Sequence, residues 1–327
     1  MISLYKSQIN NLLQNTSSLN ICVIGDCMLD HYIWGDVDRI SPEAPVPVVA
    51  IDKDTYRLGG ACNVALNLKQ MGCNVALMGL MGQDSAGHTL HQLLKASGIT
   101  IDEDHFNRNV STIVKTRVIV RNQQLCRLDR ESFFSETQTA YLQPLLDETI
   151  QNFDAVIVSD YNKGTLSQAL LKHLVDLKRQ RNFFLAVDPK PAHELDYKGV
   201  DLLKPNRIEA LQMSGISPKL HAPFPLEMVA KRIFERYRSK YLAITLGSEG
   251  LALLNAPNEG RIYPAQDREV FDVSGAGDTA LAALAVAFCL KLPLEVAATF
   301  ANMASGIVVG KVGTAAVSLE ELRAYVQ

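Results

Sequence analysis

The chain has 327 residues, 47% of them hydrophobic and 20% charged, an ordinary globular balance that excludes intrinsic disorder. Its 32 Lys and Arg against 35 Asp and Glu give a formal net charge of -3, which offers no electrostatic footprint for nucleic acid. The first twenty residues are polar, and the longest apolar run, 280–290, is too short to span a bilayer, so neither a secretory leader nor membrane insertion is expected. Six cysteines form no C-x-x-C pair, and a soluble, cytoplasmic protein without a disulfide framework follows as the expectation.

In chain order, the β-branched run 21–24 predicts a strand ending at Gly25-Asp26. From 33 to 58 there is no helical period, but there are three prolines (Pro42, Pro45, Pro47) and a β-rich run over 46–51. Ala61, Val64, Ala65, Leu68 and Met71 predict a helix over 60–71, followed by a strand over 74–78 and a helix over 87–96. Over 112–129, Val114, Thr116, Val118 and Val120 alternate up to Asn122-Gln123, and Leu125 and Leu128 follow, the pattern of an antiparallel hairpin. Helices over 137–151, 167–180 and 226–237 then alternate with strands over 155–158, 183–187, 200–203 and 241–245. The segments 277–290 and 294–309 are apolar nearly all round and predict central packed helices. This pattern predicts an α/β fold: one domain, its mostly parallel sheet flanked by helices. The β segments at about 33–58 and 112–129 project from it as surface decoration or as a lid.

The strongest chemical feature is Asp272-Val-Ser-Gly275-Ala276-Gly277-Asp278-Thr279, a glycine-rich turn opening a long apolar helix. Consecutive amides and the helix dipole would make an anion site there. Gly275-x-Gly277-x-x-Ala280 matches a dinucleotide turn, but no long apolar strand leads in and no strand with an acidic end follows. Two readings remain: a capped helix with Asp278 in its first turn, or a phosphoryl site where Asp278 accepts the proton of an attacking hydroxyl. Gly306 to Lys311 is one residue short of a P-loop, lacks its Ser/Thr, and reads as core packing. Gly59-Gly60 precede Asn63 at the mouth of a helix, and Asn206-Arg-Ile-Glu209 follows a strand, where open α/β sheets bind ligands and where helices are also capped. Thr245-Leu-Gly247-Ser-Glu-Gly250 is a glycine-bearing turn after an apolar strand. The seven histidines are scattered, with no zinc-ligand cluster and no G-x-S-x-G elbow.

Taken in order, these motifs resemble the ribokinase family of carbohydrate kinases from about residue 19 to the C-terminus. The resemblance implies a ribokinase-like fold with a small β lid over the sugar. It implies ATP and Mg2+ as cofactors, Asp278 as base, and Gly275, Ala276 and Gly277 as anion hole. Asn206 and Glu209 would face the nucleotide phosphates and Mg2+ through water. Thr245, Gly247 and Gly250 would lie along the nucleotide, Asn302 near the adenine, and Asp30, Gly59, Gly60 and Asn63 on the sugar side. Asp272 would help bind a monovalent cation, K+.

Three further segments, 39–48, 121–129 and 159–164, resemble the D-glycero-β-D-manno-heptose 7-phosphate kinases. Those enzymes phosphorylate the anomeric hydroxyl to the 1,7-bisphosphate on the route to ADP-heptose for lipopolysaccharide, and many carry a fused adenylyltransferase. The chain resembles the stand-alone kinase or an excised half, with Leu58, Cys62 and Ser274 where proline, alanine and threonine are usual. A phosphosugar needs cations, and Lys163, Lys190, Arg117, Arg121 and Arg127 are candidates, with Asp160 for sugar hydroxyls. Another phosphosugar or nucleoside kinase, or a silent sugar-binding regulator, is the alternative. Unpaired edges of the β segments predict a homodimer built through the lid.

Overall fold

A computed structural model describes residues 2–101, 105–107, 109–121, 123–218, 223–265 and 270–326. The chain opens with helix α1 (Ile2–Asn15), then β1 (Asn20–Gly25), β2 (Cys27–Ile40), β3 (Pro47–Gly60), α2 (Ala61–Gln70), β4 (Asn74–Met78), β5 (Met81–Gly82) and α3 (Ser85–Ala96). After β6 (Phe106–Asn107) come the hairpin strands β7 (Ile113–Val120) and β8 (Gln123–Arg130), with Asn122 of the expected turn outside the described residues. The middle runs α4 (Glu136–Thr139), α5 (Leu142–Thr149), β9 (Ala155–Ser159), α6 (Gln168–Arg181), β10 (Phe184–Asp188), β11 (Leu202–Leu203), α7 (Arg207–Ser214) and α8 (Leu226–Tyr237). The last third is β12 (Tyr241–Thr245), β13 (Leu251–Ala256), β14 (Glu259–Tyr263), α9 (Ala276–Cys289), α10 (Leu294–Val308) and α11 (Leu319–Val326).

Eight strands form the main sheet in the order β14-β13-β12-β11-β10-β9-β1-β4. Pairing is parallel from β4 across to β12 and antiparallel only at the β12-β13-β14 edge. Strands covered on both faces need continuous apolar runs, and β9 is buried at all five positions. One core lies between the sheet and α1, α2, α9 and α10; the other lies between the opposite face and α5, α6, α7 and α8. Helix α9 is buried from Asp278 through Phe288, as an all-round apolar helix should be.

A second, four-stranded sheet, β3-β2-β7-β8, holds the projecting β segments expected at about 33–58 and 112–129, the candidate lid. Strand β2 leaves directly from the carboxyl end of β1, and β3 returns directly into α2, so the lid rises from that edge of the main sheet. Its outer strand β8 is exposed at every position.

Three expectations differ from the structure. Helix α1 is unannounced because only Ile9, Leu12 and Leu13, at helical spacing in a polar run, turn inward. The helix expected over 137–151 is two helices, since Pro144 lacks an N–H and suits the first turn of a new helix at Leu142. The expected run over 46–51 is only the start of β3, which pairs along its length with an equally long β2. Among the described residues no helix is long and apolar enough to cross a membrane.

The location of the core gives a direct test. Leu281 is fully buried in α9, so Leu281→Ala should cost about 2–5 kcal/mol in chemical denaturation. Leu128 on the outer lid strand is 59% exposed, and Leu128→Ala should cost about 1 kcal/mol or less. Equal losses would contradict this arrangement.

Candidate functional site

Five neighbouring strands, β1, β9, β10, β11 and β12, end at one edge of the main sheet, with Gly25 beside Ser159 and Ser159 beside Asp188. The residues that follow those ends therefore emerge side by side: Asp26, then Asp160 and Tyr161, Asp188 to Lys190, Lys204 to Asn206, and Thr245. The first turn of α9 faces them. Together they enclose a cavity of about 230 Å³ lined by Asp160, Tyr161, Asp188, Pro189, Lys190, Lys204, Asn206, Glu209, Thr245, Gly275, Gly277 and Asp278. This is the carboxyl-end crevice where open α/β sheets take ligands.

Helix α9 starts at Gly275, whose φ of 81° is a left-handed cap; a Cβ there would fall 2.7 Å from Asn63 Nδ2. Asp278 follows in the first turn and is 6% exposed. Each carboxylate oxygen has one donor: Asn63 Nδ2 donates to Oδ2 at 2.7 Å, and the Tyr161 hydroxyl donates to Oδ1 at 3.2 Å. Burial raises the Asp278 pKa above the ordinary carboxylate value, against the opposing pull of Asn63, Lys204 and Tyr161. Asn63 is itself fully buried in α2, where Asn67 donates to its backbone carbonyl at 2.9 Å and accepts from Thr279 at 2.8 Å. The loop carrying Tyr161 is gripped by the buried Asp26 carboxylate, which accepts the amides of Tyr161, Lys163 and Thr165 at 2.9, 3.1 and 3.2 Å.

Opposite Asp278 sits Lys204, only 2% exposed and paired with Asp188 at 2.9 Å. A Cβ on Gly277 would lie 3.6 Å from its Nζ, which puts the ammonium against the glycine turn. Burial pushes Asp188 up to about 7 despite this lysine. Burial also works against the Lys204 charge, yet Asp188, Glu209 and Asp278 around it hold its pKa above the ordinary value. Asn206 and Glu209 close a capping box on α7: Asn206 Oδ1 accepts the Glu209 amide, and Glu209 Oε2 accepts the Asn206 amide, each at 2.9 Å. Both side chains also line the cavity, so the cap and the site are one structure. The second Glu209 oxygen takes Lys190 at 3.1 Å.

Of the residues singled out by sequence, Asp278, Gly275, Gly277, Asn206, Glu209, Thr245, Asp160 and Lys190 meet at the cavity, and Ala276 and Asn63 adjoin it. Asp160 is held there by the Asn162 amide at 2.7 Å and His193 Nδ1 at 3.1 Å. The others are placed elsewhere. Asp30 accepts Arg117 and Thr314, each at 2.6 Å, on the inner face of the lid, and Gly59 packs against its carboxylate. Gly60 packs against the Asp26 carbonyl at the start of α2. Gly247 faces open space, Gly250 packs against the backbone of Pro264 and Ala265, and Asn302 donates to the Tyr263 carbonyl at 2.9 Å. Asp272 anchors its own turn by accepting the Ser274 and Gly313 amides at 2.9 and 3.0 Å.

The cations expected for a substrate phosphate are mostly engaged. Arg121 is bound by Asp36 at 2.8 Å, Arg127 by Asp129 at 2.8 Å and Lys163 by Glu131 at 2.8 Å. None of these three lines the cavity, and Lys190 sits on the Asn206-Glu209 side, drawn there by Glu209. Sequence reasoning passed over Lys204, Asp188 and Tyr161. The available signal was a charge directly after a buried strand, Leu203-Lys204 and Val187-Asp188, where burial demands a partner.

Residues 18–322 match the pfkB family carbohydrate kinases. The chain is 42% identical to the bifunctional protein HldE of Desulfatibacillum aliphaticivorans over 95% of its length and 39% identical to that of Syntrophotalea carbinolica over 97%. It spans 64% and 65% of those relatives' own lengths. Among solved structures, phosphofructokinase-2 from Escherichia coli in complex with substrates and products superposes with a TM-score of 0.77 at 17% identity, covering 94% of this chain and 98% of that one. Ribokinase from Thermotoga maritima gives 0.70 at 21% identity, covering 94% and 99%. The fold is thus ribokinase-like, and with the family match extending over nearly the whole length, the chain belongs to the pfkB family of carbohydrate kinases.

Proposed function

We propose that the chain transfers the γ-phosphoryl group of ATP to the anomeric hydroxyl of D-glycero-β-D-manno-heptose 7-phosphate, giving the 1,7-bisphosphate and ADP. The observation that carries the chemistry is the buried Asp278 carboxylate, fixed by Asn63 and Tyr161 at the mouth of a glycine-capped helix. The sugar is inferred from the segments of the sequence that resemble heptose 7-phosphate kinases, and the relatives named bifunctional protein HldE, of which the chain spans about two thirds, fit the expectation of a kinase unit that is often fused to a second one. In this reading Asp278 takes the hydroxyl proton as the hydroxyl oxygen bonds to the γ-phosphorus and the bond to the ADP oxygen breaks. Gly275 and Gly277 offer amides, and Lys204 a buried charge, to the transferring group; the Ala276 amide, expected to join them, donates instead to the Val273 carbonyl at 3.2 Å.

The lining fits a metal-bound polyphosphate. Asp160, Asp188, Glu209 and Asp278 outnumber Lys190 and Lys204, and a polyanion enters such a wall with its charge partly neutralised. Asn206 and Glu209 would hold Mg2+ through water, the Mg2+ supplying that neutralisation. Asp272, whose oxygens accept the Ser274 and Gly313 amides, is the residue that would hold K+. The lid displays Ile40, Val46, Ile51, Leu125 and Leu128 on exposed strands and loops, which supports a homodimer formed through it.

The substrate reading is tested by ADP release across phosphorylated sugars and their dephosphorylated counterparts. The heptose 7-phosphate should give the highest kcat/KM, and equal turnover of bare heptose would contradict the assignment. Asp278→Asn keeps the shape but cannot take the proton, so kcat should fall roughly 10²–10⁴-fold with nucleotide affinity within a few-fold; near-normal turnover would end the base assignment. Asp188 has a folded pKa above its unfolded one, so its stabilising contribution is full below 3.8 and lost as pH rises through about 7. Asp188→Asn should therefore flatten the fall in melting temperature of the nucleotide-free protein over that window, and an unchanged slope would refute it. Sedimentation at micromolar concentration should show a dimer; a monomer would count against lid pairing.

A further inference from the structure

The inner face of the lid gathers cations, and nearly all of them are matched. Arg117 has Asp30 at 2.6 Å, and Arg127 has Asp129 at 2.8 Å. Lys115 differs. Register sets it beside Asp30 on β2 and Asp129 on β8, yet among the described residues no carboxylate oxygen comes within 4.0 Å of its ammonium. Both neighbouring carboxylates are instead taken by the two arginines. The Lys115 ammonium lies 5.0 Å from the centre of the Tyr161 ring, and that ring's hydroxyl donates to Asp278.

Lys115 is half-buried, and burial pulls its pKa down while Asp30 pulls it up. A half-buried ammonium that shares its two nearest carboxylates with arginines, and rests on the face of a tyrosine ring, has room for a further anionic partner. The position is informative too. Lys115 is outside the cavity lining, but one tyrosine ring separates it from the Asp278 carboxylate, so a sugar touching Asp278 with one end and reaching past Tyr161 can bring an anionic group at its other end to Lys115.

We propose that Lys115 receives the phosphate that the substrate already carries, and so sets the preference for a phosphosugar over a bare sugar. This rests on the phosphosugar kinase reading above and gives it a residue. Arg117 and Arg127, each neutralised by its aspartate, keep Asp30 and Asp129 from closing on Lys115 in the ligand's place.

The test uses the full chain with Lys115→Met, close in length but uncharged, and Lys115→Arg, which keeps the charge. For each protein kcat and KM are measured for heptose 7-phosphate, for bare heptose and for ATP. Loss of one charge-assisted contact predicts that Lys115→Met raises the phosphosugar KM about tenfold or more. The phosphorylated-to-bare ratio of kcat/KM should fall by a similar factor while the KM for ATP moves within a few-fold, and Lys115→Arg should recover most of the ratio. A general loss from misfolding would lower the apparent kcat for both sugars alike, leaving the KM values and that ratio unchanged. If the unaltered enzyme discriminates strongly and Lys115→Met discriminates equally well, the Lys115 assignment is overturned and the heptose reading stands. If the unaltered enzyme prefers a different phosphosugar and Lys115→Met loses that preference, the heptose reading fails and the Lys115 assignment stands. Absence of any preference for a phosphorylated sugar in the unaltered enzyme would overturn both.

Discussion

A nearly buried carboxylate, lodged in the first turn of a helix that is buried from Asp278 through Phe288, is the constraint around which this molecule is arranged. Asp278 occupies the positive end of α9, which favours its charge, and is buried, which does not. The balance is set by two donors from different parts of the chain, Asn63 and Tyr161, with Lys204 adding its charge from across the cavity. Removing any one leaves a buried polar atom unmatched, an unfavourable state that ties α2, the β9 loop and α9 to one geometry.

The same economy extends outward from the site. Asp26 spends its carboxylate on three backbone amides, fixing the loop that presents Asp160 and Tyr161. The Asn206-Glu209 box caps α7, and both residues line the cavity. The lid grows from the end of β1 and returns into α2, so its position is coupled to the helix that holds Asp278. Kinases of this family handle a hydroxyl acceptor beside a polyphosphate donor, a reaction that asks for positioning and charge control more than covalent chemistry. Those are the properties on display here.

Much of this was legible in the sequence. The alternation of short apolar strands with helices reports a buried parallel sheet, and the glycine turn with Asp278 reports the N-terminus of a long buried helix. The pairings were not legible, because those at Asp278 join residues 215 and 117 positions apart and the others depend on which strands the fold sets side by side. Asn63 reads as a helix-mouth polar residue until α9 is seen to bring Asp278 to it across 215 positions. Arg121, Arg127 and Lys163 look like phosphate ligands on composition alone; only the fold shows that neighbouring carboxylates already claim them. Lys204 and Lys115 were hidden for the opposite reason: each is an ordinary lysine in sequence, and its meaning lies in how little water or counter-charge surrounds it.

The central claim, that a buried Asp278 accepts the proton of the acceptor hydroxyl, is tested most directly by the pH dependence of kcat. Burial raises the Asp278 pKa above the ordinary 3.8, so the account predicts an acid-side fall in kcat centred above that value. In Asp278→Asn the residual rate should be independent of pH over the same range, while Asp188→Asn should keep the fall. An unchanged acid limb in Asp278→Asn would contradict the account, since some other group would then be carrying the proton.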